Sequence, residues 1–406
     1  MTNRILELFP ELARVAEEAT TGVLPSQHIR QLIFTGAISA DAPFEDVQIQ
    51  PASLDLRLGP NAYRLQASFL PTKASTVERK LADLAMASID LRNGAVLERG
   101  CVYLMPLMEK LRLPSDISGK ANPKSTTGRL DVFTRLITDY GEEFERVAEG
   151  YVGPLYAEVV PRAFSVMVRT GLRLSQLRLI RGNPPSPDSE LTELHEEEGL
   201  VYDDDDIIGE AVIKKGLKIS VSVRSDGAGP VAYRARHDAP IIDLDKIDYY
   251  DPFLFWDAVP SPTNGRLILT PGDFYILASK EKVSVPPSFA AEMVPFDPSV
   301  GEFRIHYAGF FDPGFGYGGG HARQTFGTRA VLEVRAHEVP FLLEDGQFVG
   351  KLIYIRLLQR PEQVYGGRIG SSYANQQLTL SKQFKRNVSP SVPALSHFGV
   401  REAESE

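Results

Sequence analysis

The chain has 406 residues, of which 43% are apolar and 24% charged, and a formal net charge of −9. It is longer than one ordinary domain and carries enough apolar side chains for a sizeable core, which excludes global disorder. The acidic balance weighs against nucleic acid as a partner, and the single cysteine, Cys101, excludes both an intrachain disulfide framework and zinc sites that need two or more thiolates.

In chain order, Ile5, Leu6, Leu8, Leu12 and Val15 fall near a 3.6-residue period, with Pro10 as a break, and predict helix. Glu and Arg among them do not fit a secretory signal, and no apolar run reaches the roughly 20 residues of a membrane span. A cytoplasmic location away from membranes is therefore expected. Ser26 is placed to cap a second short helix, in which Ile29, Leu32 and Ile33 share a face and which Gly36 ends. The texture then changes to short apolar runs at 52–58, 101–107, 155–160 and 164–168, bounded by Gly, Pro, Asn or Asp. It returns after Lys214 at 217–223, 267–269, 274–278, 331–334 and 352–357. This spacing predicts the many short strands of a sandwich or barrel. Between the two series, residues 188–206 hold ten carboxylates and no Lys or Arg, and removing them takes the net charge from −9 to +1. With Pro184, Pro185 and Pro187 at its head, this stretch reads as a solvated linker.

The two series repeat each other. Residues 94–114 and 265–286 each read strand, Gly turn, strand, charged turn, strand, Pro. Further on, Glu158 precedes Gly171 by thirteen residues and Glu333 precedes Gly346 by thirteen, while Leu177 and Leu352 each follow their glycine by six. Two anchors in one order indicate two copies, with boundaries at 1–182 and 214–406 around an acidic linker at 183–213.

Four constellations offer chemistry. Lys124-Ser125-Thr126-Thr127-Gly128-Arg129 combines hydroxyls, cations and a glycine turn, which suits phosphate and equally suits a plain polar turn. Residues 308–316 place Asp312-Pro313-Gly314 among Phe310, Phe311 and Phe315, a tight hairpin able to hold a flat base by its edge. Glu333 and its counterpart Glu158 interrupt apolar strands, and either one facing a pocket would be suited to proton transfer. The polar, glycine-rich run from Tyr365 to Lys382 can close over a ligand. The seven histidines show no paired metal-ligand spacing.

In this order the constellations resemble the dCTP deaminase family of the dUTPase superfamily. Ile49-Gln50-Pro51-Ala52-Ser53-Leu54-Asp55-Leu56-Arg57-Leu58-Gly59, after the helix carrying Ile29-Arg30-Gln31-Leu32-Ile33, is similar to the family's N-terminal signature. Residues 308–315 resemble its base-binding hairpin and Asn375-Gln376-Gln377 its nucleotide-covering tail. The resemblance implies a mainly β fold: two tandem dUTPase-like distorted β-barrels of the β-clip type, with short N-terminal helices. It implies hydrolytic deamination of dCTP to dUTP and ammonia, with Mg2+ bridging the phosphates and no zinc. It assigns catalysis to Ser125, Arg129 and Glu333, with Glu158 as the first-copy counterpart. It assigns nucleotide binding to Lys124, Ala308, Gly309, Phe311, Asp312, Tyr365, Tyr373 and Gln376. It also implies sites between neighbouring subunits, hence a homo-oligomer. The alternatives are a dUTP pyrophosphatase, an enzyme performing both steps, and a nucleotide-binding regulator without turnover.

The copies depart from the family pattern in complementary ways. In copy two the turn reads Asp297-Pro298-Ser299-Val300-Gly301-Glu302, with an acid where copy one has Arg129. In copy one Ile137-Thr138-Asp139 runs into residues 140–150 with no Pro-Gly. In the tail, which belongs to copy two, Ser372 stands at the family's lysine. One composite site is therefore expected where copy one meets copy two, within a chain or between chains. A carboxylate in the strand after the hairpin favours deamination over attack at phosphate, since deamination needs a proton shuttle at the base.

Overall fold

Alternation builds the strands. In Val152–Pro161, Leu155, Ala157 and Val159 point into one apolar cluster, whereas Tyr156 turns the other way to meet Leu104 and Ile137. In Thr328–Ala336, Ala330, Leu332, Val334 and Ala336 enter a second cluster, which leaves Glu333 and Arg335 on the opposite face. The computed structural model describes residues 19–225, 229–295, 303–305, 309–318, 326–336, 338–366 and 378–386. The helix expected at the N-terminus, the 297–302 turn, Ser372 and the site candidates Ala308, Tyr373 and Gln376 lie outside the described residues.

The fold is mainly β, and the same pairings recur in both halves. Val102–Arg112 pairs with Val152–Pro161, which pairs with Val132–Thr138. Phe274–Val283 likewise pairs with Thr328–Ala336, which pairs with Phe303–Ile305. Ile117–Pro123 pairs with Arg173–Arg181 and that strand with Leu54–Arg57, as Phe289–Pro295 pairs with Phe348–Arg356 and that strand with Leu217–Ser222. The small pair Ala95–Leu97 and Val166–Val168 matches Arg266–Leu269 and Phe341–Glu344. The sheets are antiparallel throughout these pairs and curl around their own apolar clusters.

The halves are joined through a common interior. Phe164 of the first half packs edge-on against Phe255 and Trp256 of the second, at ring separations of 5.8 and 5.2 Å, and Phe384 closes the same cluster. The strand Ile242–Asp243 adds in parallel to Val166–Val168, and Arg169 reaches both Asp243 and Asp245 at 2.7 Å. Lys120 and Glu292 form an ion pair across the seam. They hold equivalent places in the two halves: Lys120 lies opposite Arg178, and Glu292 opposite Ile353.

The acidic stretch is not a solvated linker. Asp188–Glu198 is a helix whose Leu191 and Leu194 are buried in the second-half cluster. Asp188 accepts hydrogen bonds from the Lys215 and Gly216 amides at 2.7 and 2.9 Å, which holds its carboxyl below the usual range. Asp204 pairs with Arg329 at 2.8 Å and Asp206 with Lys282 at 2.5 Å. Composition alone registered the charge. It did not register the apolar i, i+3 edge, the acids at the favourable N-terminal end of the helix dipole, or Gly199 in the left-handed conformation that stops the helix.

In the first half the short strand Arg146–Val147, paired with Lys120 and Gly119, holds the place that Phe310–Phe311 holds in the second. The helix Val77–Leu84 is capped by Thr76, and Asp139 accepts its first amide, from Val77, at 2.7 Å. Val77 is buried there with Leu65, Leu104, Ile137 and Tyr156. Among the described residues no helix is long and apolar enough to cross a membrane.

Candidate active site

The first half supplies a cationic turn. Ile117–Pro123 ends in proline, and Ser125–Gly128 forms one helical turn in which the Thr127 and Gly128 amides bond back to Lys124 O at 2.8 and 2.9 Å. Ser125 is exposed, Lys124 half-buried and Arg129 only 2% exposed. Lys124 is ion-paired with Asp55, and Arg173 stands 3.9 Å from the same carboxylate. Asp55 Oδ1 is buried with no hydrogen-bond partner among the described residues. The end of the described chain lies over this turn: Arg129 Nη1 donates to Thr379 O at 2.9 Å, and Ser381 Oγ donates to Thr126 O at 2.9 Å.

The second half supplies a carboxylate and a hairpin. Glu333 is 6% exposed, opposite Ile276, on the strand face turned toward the first half. Burial pushes its carboxyl up to about 8; Arg129 works against that rise and Asp131 adds to it. Two residues along the same face, Arg335 is ion-paired with the fully buried Asp131 and donates to Gly272 O. Asp131 holds this place with φ at +53°, a left-handed conformation that Asp tolerates better than most residues. Arg129, Asp131, Glu333 and Arg335 thus form one buried charge cluster drawn from both halves.

The hairpin is pinned by its turn. Phe315 N donates to Asp312 O at 3.0 Å, with proline second and Gly314 third at φ +94°, the pattern of a type II turn. Phe310–Phe311 pairs with Glu292 and Ala291, and Gly309 O accepts from Met293 N at 3.0 Å. Phe311 is half-buried and meets Phe315 edge-on at 4.9 Å. Burial raises the Asp312 carboxyl; Arg178 opposes this, Asp55 adds to it and Lys124 opposes it, so the hairpin and the cationic turn share one electrostatic environment. Tyr365 N donates to Pro313 O at 2.8 Å and its ring lies 5.6 Å from Phe315. A methyl at Gly314 would stand 2.8 Å from Val364 Cβ.

Across the halves of a single chain, Arg129 therefore acts on Glu333 and Lys124 on Asp312. Glu158 does not join them. It is fully buried in the matching first-half strand, and Arg135 takes its Oε1 through Nε at 3.1 Å and through Nη2. Arg135 in turn lies 3.5 Å from the Phe144 ring centroid and donates to Ser68 at 2.8 Å. Sequence reading missed Asp131, Arg335, Arg178 and the Thr379–Ser381 contact. For Arg335 a signal existed, because i and i+2 share a strand face with Glu333. Among the described residues no three His, Cys, Asp or Glu side chains converge as a metal site.

Comparison with known proteins agrees with this architecture. Residues 20–183 match the model of the 2'-deoxycytidine 5'-triphosphate deaminase (DCD) N-terminal domain, and residues 187–384 that of the DCD C-terminal domain. A "dCTP deaminase, dUMP-forming" of Mycolicibacterium vanbaalenii is 28% identical over 167 residues, 40% of this chain and 83% of the relative. One of Beutenbergia cavernae with the same name is 26% identical over 165 residues, 40% of this chain and 82% of its own length. The crystal structure of 2'-deoxycytidine 5'-triphosphate deaminase from Agrobacterium tumefaciens superposes with a TM-score of 0.79 at 49% identity, covering 84% of this chain and 100% of that one. With both halves matched and half the residues shared with a solved member over that member's full length, this chain belongs to the 2'-deoxycytidine 5'-triphosphate deaminase family.

Proposed function

We propose that the chain deaminates dCTP to dUTP and ammonia at one site formed between its halves. The observation that carries this reading is Glu333, a carboxyl raised by burial and faced by Arg129 and Asp131. At neutral pH such a group holds and releases a proton readily. In the ionised form it takes a proton from water as the water oxygen bonds to C4 of cytosine, and it delivers that proton to N3. A second transfer, from the new hydroxyl to the exocyclic nitrogen, accompanies cleavage of the C4–N4 bond and release of ammonia. Acid–base assistance of this kind is worth about 10²–10⁴-fold. Arg129 offsets the charge that develops as the proton moves, and Ser125 and Lys124 hold the phosphate end. Gly309, Phe311 and Asp312 fix the base, and Tyr365 backs the hairpin. Asp55, whose buried Oδ1 has no hydrogen-bond partner among the described residues, would with Lys124 hold a triphosphate-borne magnesium ion, which would supply charge neutralisation at the phosphates. Ammonia release from dCTP tests the assignment: wild type should turn over and Glu333→Gln should not. Equal turnover by the two would refute it.

A second reading keeps the same first step and adds hydrolysis to dUMP. Its support is that the relatives from M. vanbaalenii and B. cavernae are both named dUMP-forming. Supplying dCTP and dUTP separately and measuring pyrophosphate beside ammonia separates the readings. Pyrophosphate in step with ammonia favours dUMP; ammonia alone favours dUTP.

A further inference from the structure

Arg178 is a first-half residue whose guanidinium serves the second half. It lies on Arg173–Arg181 and is 1% exposed. Nη1 donates to Ala291 O at 2.9 Å, while Nη2 reaches Phe311 O at 3.4 Å and Asp312 Oδ1 at 3.5 Å. The guanidinium carbon stands 4.0 Å from the Phe310 ring centroid. All of these partners belong to the hairpin or to the strand it pairs with. Burial works against the charge on Arg178 and on Asp312 alike, so an apolar pair would suit stability as well or better. The chain contains that control. The place equivalent to Arg178 in the second half is Ile353, so this strand folds with an apolar side chain there.

We propose that Arg178 is a positioning residue for base recognition: by holding Phe311 O, Asp312 and the Phe310 ring from across the seam, it sets the hairpin against which the cytosine is read. The proposal rests on the deaminase reading above. It separates base from phosphate, because none of its contacts is made to Lys124, Ser125 or Arg129. The variants are Arg178→Met, which keeps the volume, and Arg178→Lys, which keeps the charge but loses the fork. The probes are dCTP and inorganic tripolyphosphate as a competitor. In Arg178→Met the KM for dCTP should rise about tenfold or more, by loss of charged hydrogen bonds. The inhibition constant of tripolyphosphate should stay within about twofold, since phosphate binding is untouched. Arg178→Lys should fall between wild type and Arg178→Met, and it carries the test if Arg178→Met does not fold. An unchanged KM, or equal weakening of dCTP and tripolyphosphate, would overturn the proposal. Should wild type release no ammonia, the deaminase reading fails by itself; dissociation constants of dCTP and tripolyphosphate by equilibrium dialysis then decide the role of Arg178 by the same criterion.

Discussion

Glu158 and Glu333 occupy the same place in matching strands, yet their surroundings give them opposite chemistry. Glu158 has Arg135 directly opposite in the neighbouring strand, and Arg135 is itself held by Phe144 and Ser68. Its charge is committed within the first half. Glu333 lies opposite Ile276, just as Glu158 lies opposite Leu104 on its other side, and the cation that works on it, Arg129, comes from the other half. Its carboxyl is desolvated and, among the described residues, is not fixed in a two-point ion pair. A strand position thus sets only where a carboxylate points; the cation that reaches it decides whether its charge is taken up in a close ion pair, as for Glu158, or left opposed by burial, as for Glu333.

The largest test of this contrast is on turnover. Glu333→Gln should lower kcat by about 10²–10⁴, the worth of a general acid–base group. Glu158→Gln should leave ammonia release near wild type and instead lower the melting temperature, because Arg135 loses its partner. Equal loss of turnover in both variants would break the comparison. The next effect is on stability: Arg335→Met takes this cation from the buried Asp131, at about 3–5 kcal/mol in denaturant titration, and Asp131→Asn in the same chain should restore most of it. A smaller cost, about 1–3 kcal/mol, is expected for Gly314→Ala, which forces a side chain into φ +94° and against Val364. The pH profile sharpens the contrast further. Glu333 is protonated below about 8, so kcat/KM should fall as pH drops below that value. The folded chain keeps a proton there that the unfolded chain releases near 4.5, so this group's contribution to stability is complete at low pH and is lost as pH rises toward 8. Glu333→Gln should remove both dependences.

The two-part β architecture was legible because short apolar runs are punctuated by Gly and Pro, and because two anchors recur in the same order. The hairpin was legible from Asp312-Pro313-Gly314, which has few conformations open to it. The meeting of Arg129 with Glu333 within one chain was legible only as an alternative to a contact between chains. Which glutamate is neutralised was not legible, since Arg135 and Glu158 become neighbours only through strand register. Asp131 gave no signal either; its partner is 204 residues away and its backbone conformation is set by packing. The acidic helix was hidden by its own charge, because Leu191 and Leu194 supply the edge that docks it.

The ion pair between Lys120 and Glu292 has a consequence for assembly. Because the two residues hold equivalent places, a seam made from two first halves would set lysine against lysine, and one made from two second halves glutamate against glutamate. Only unlike halves match. The seam therefore works as a keyed joint: the same contact that brings Arg129 to Glu333 discourages either half from pairing with its own kind. Carrying both halves on one polypeptide then guarantees each its counterpart in equal number.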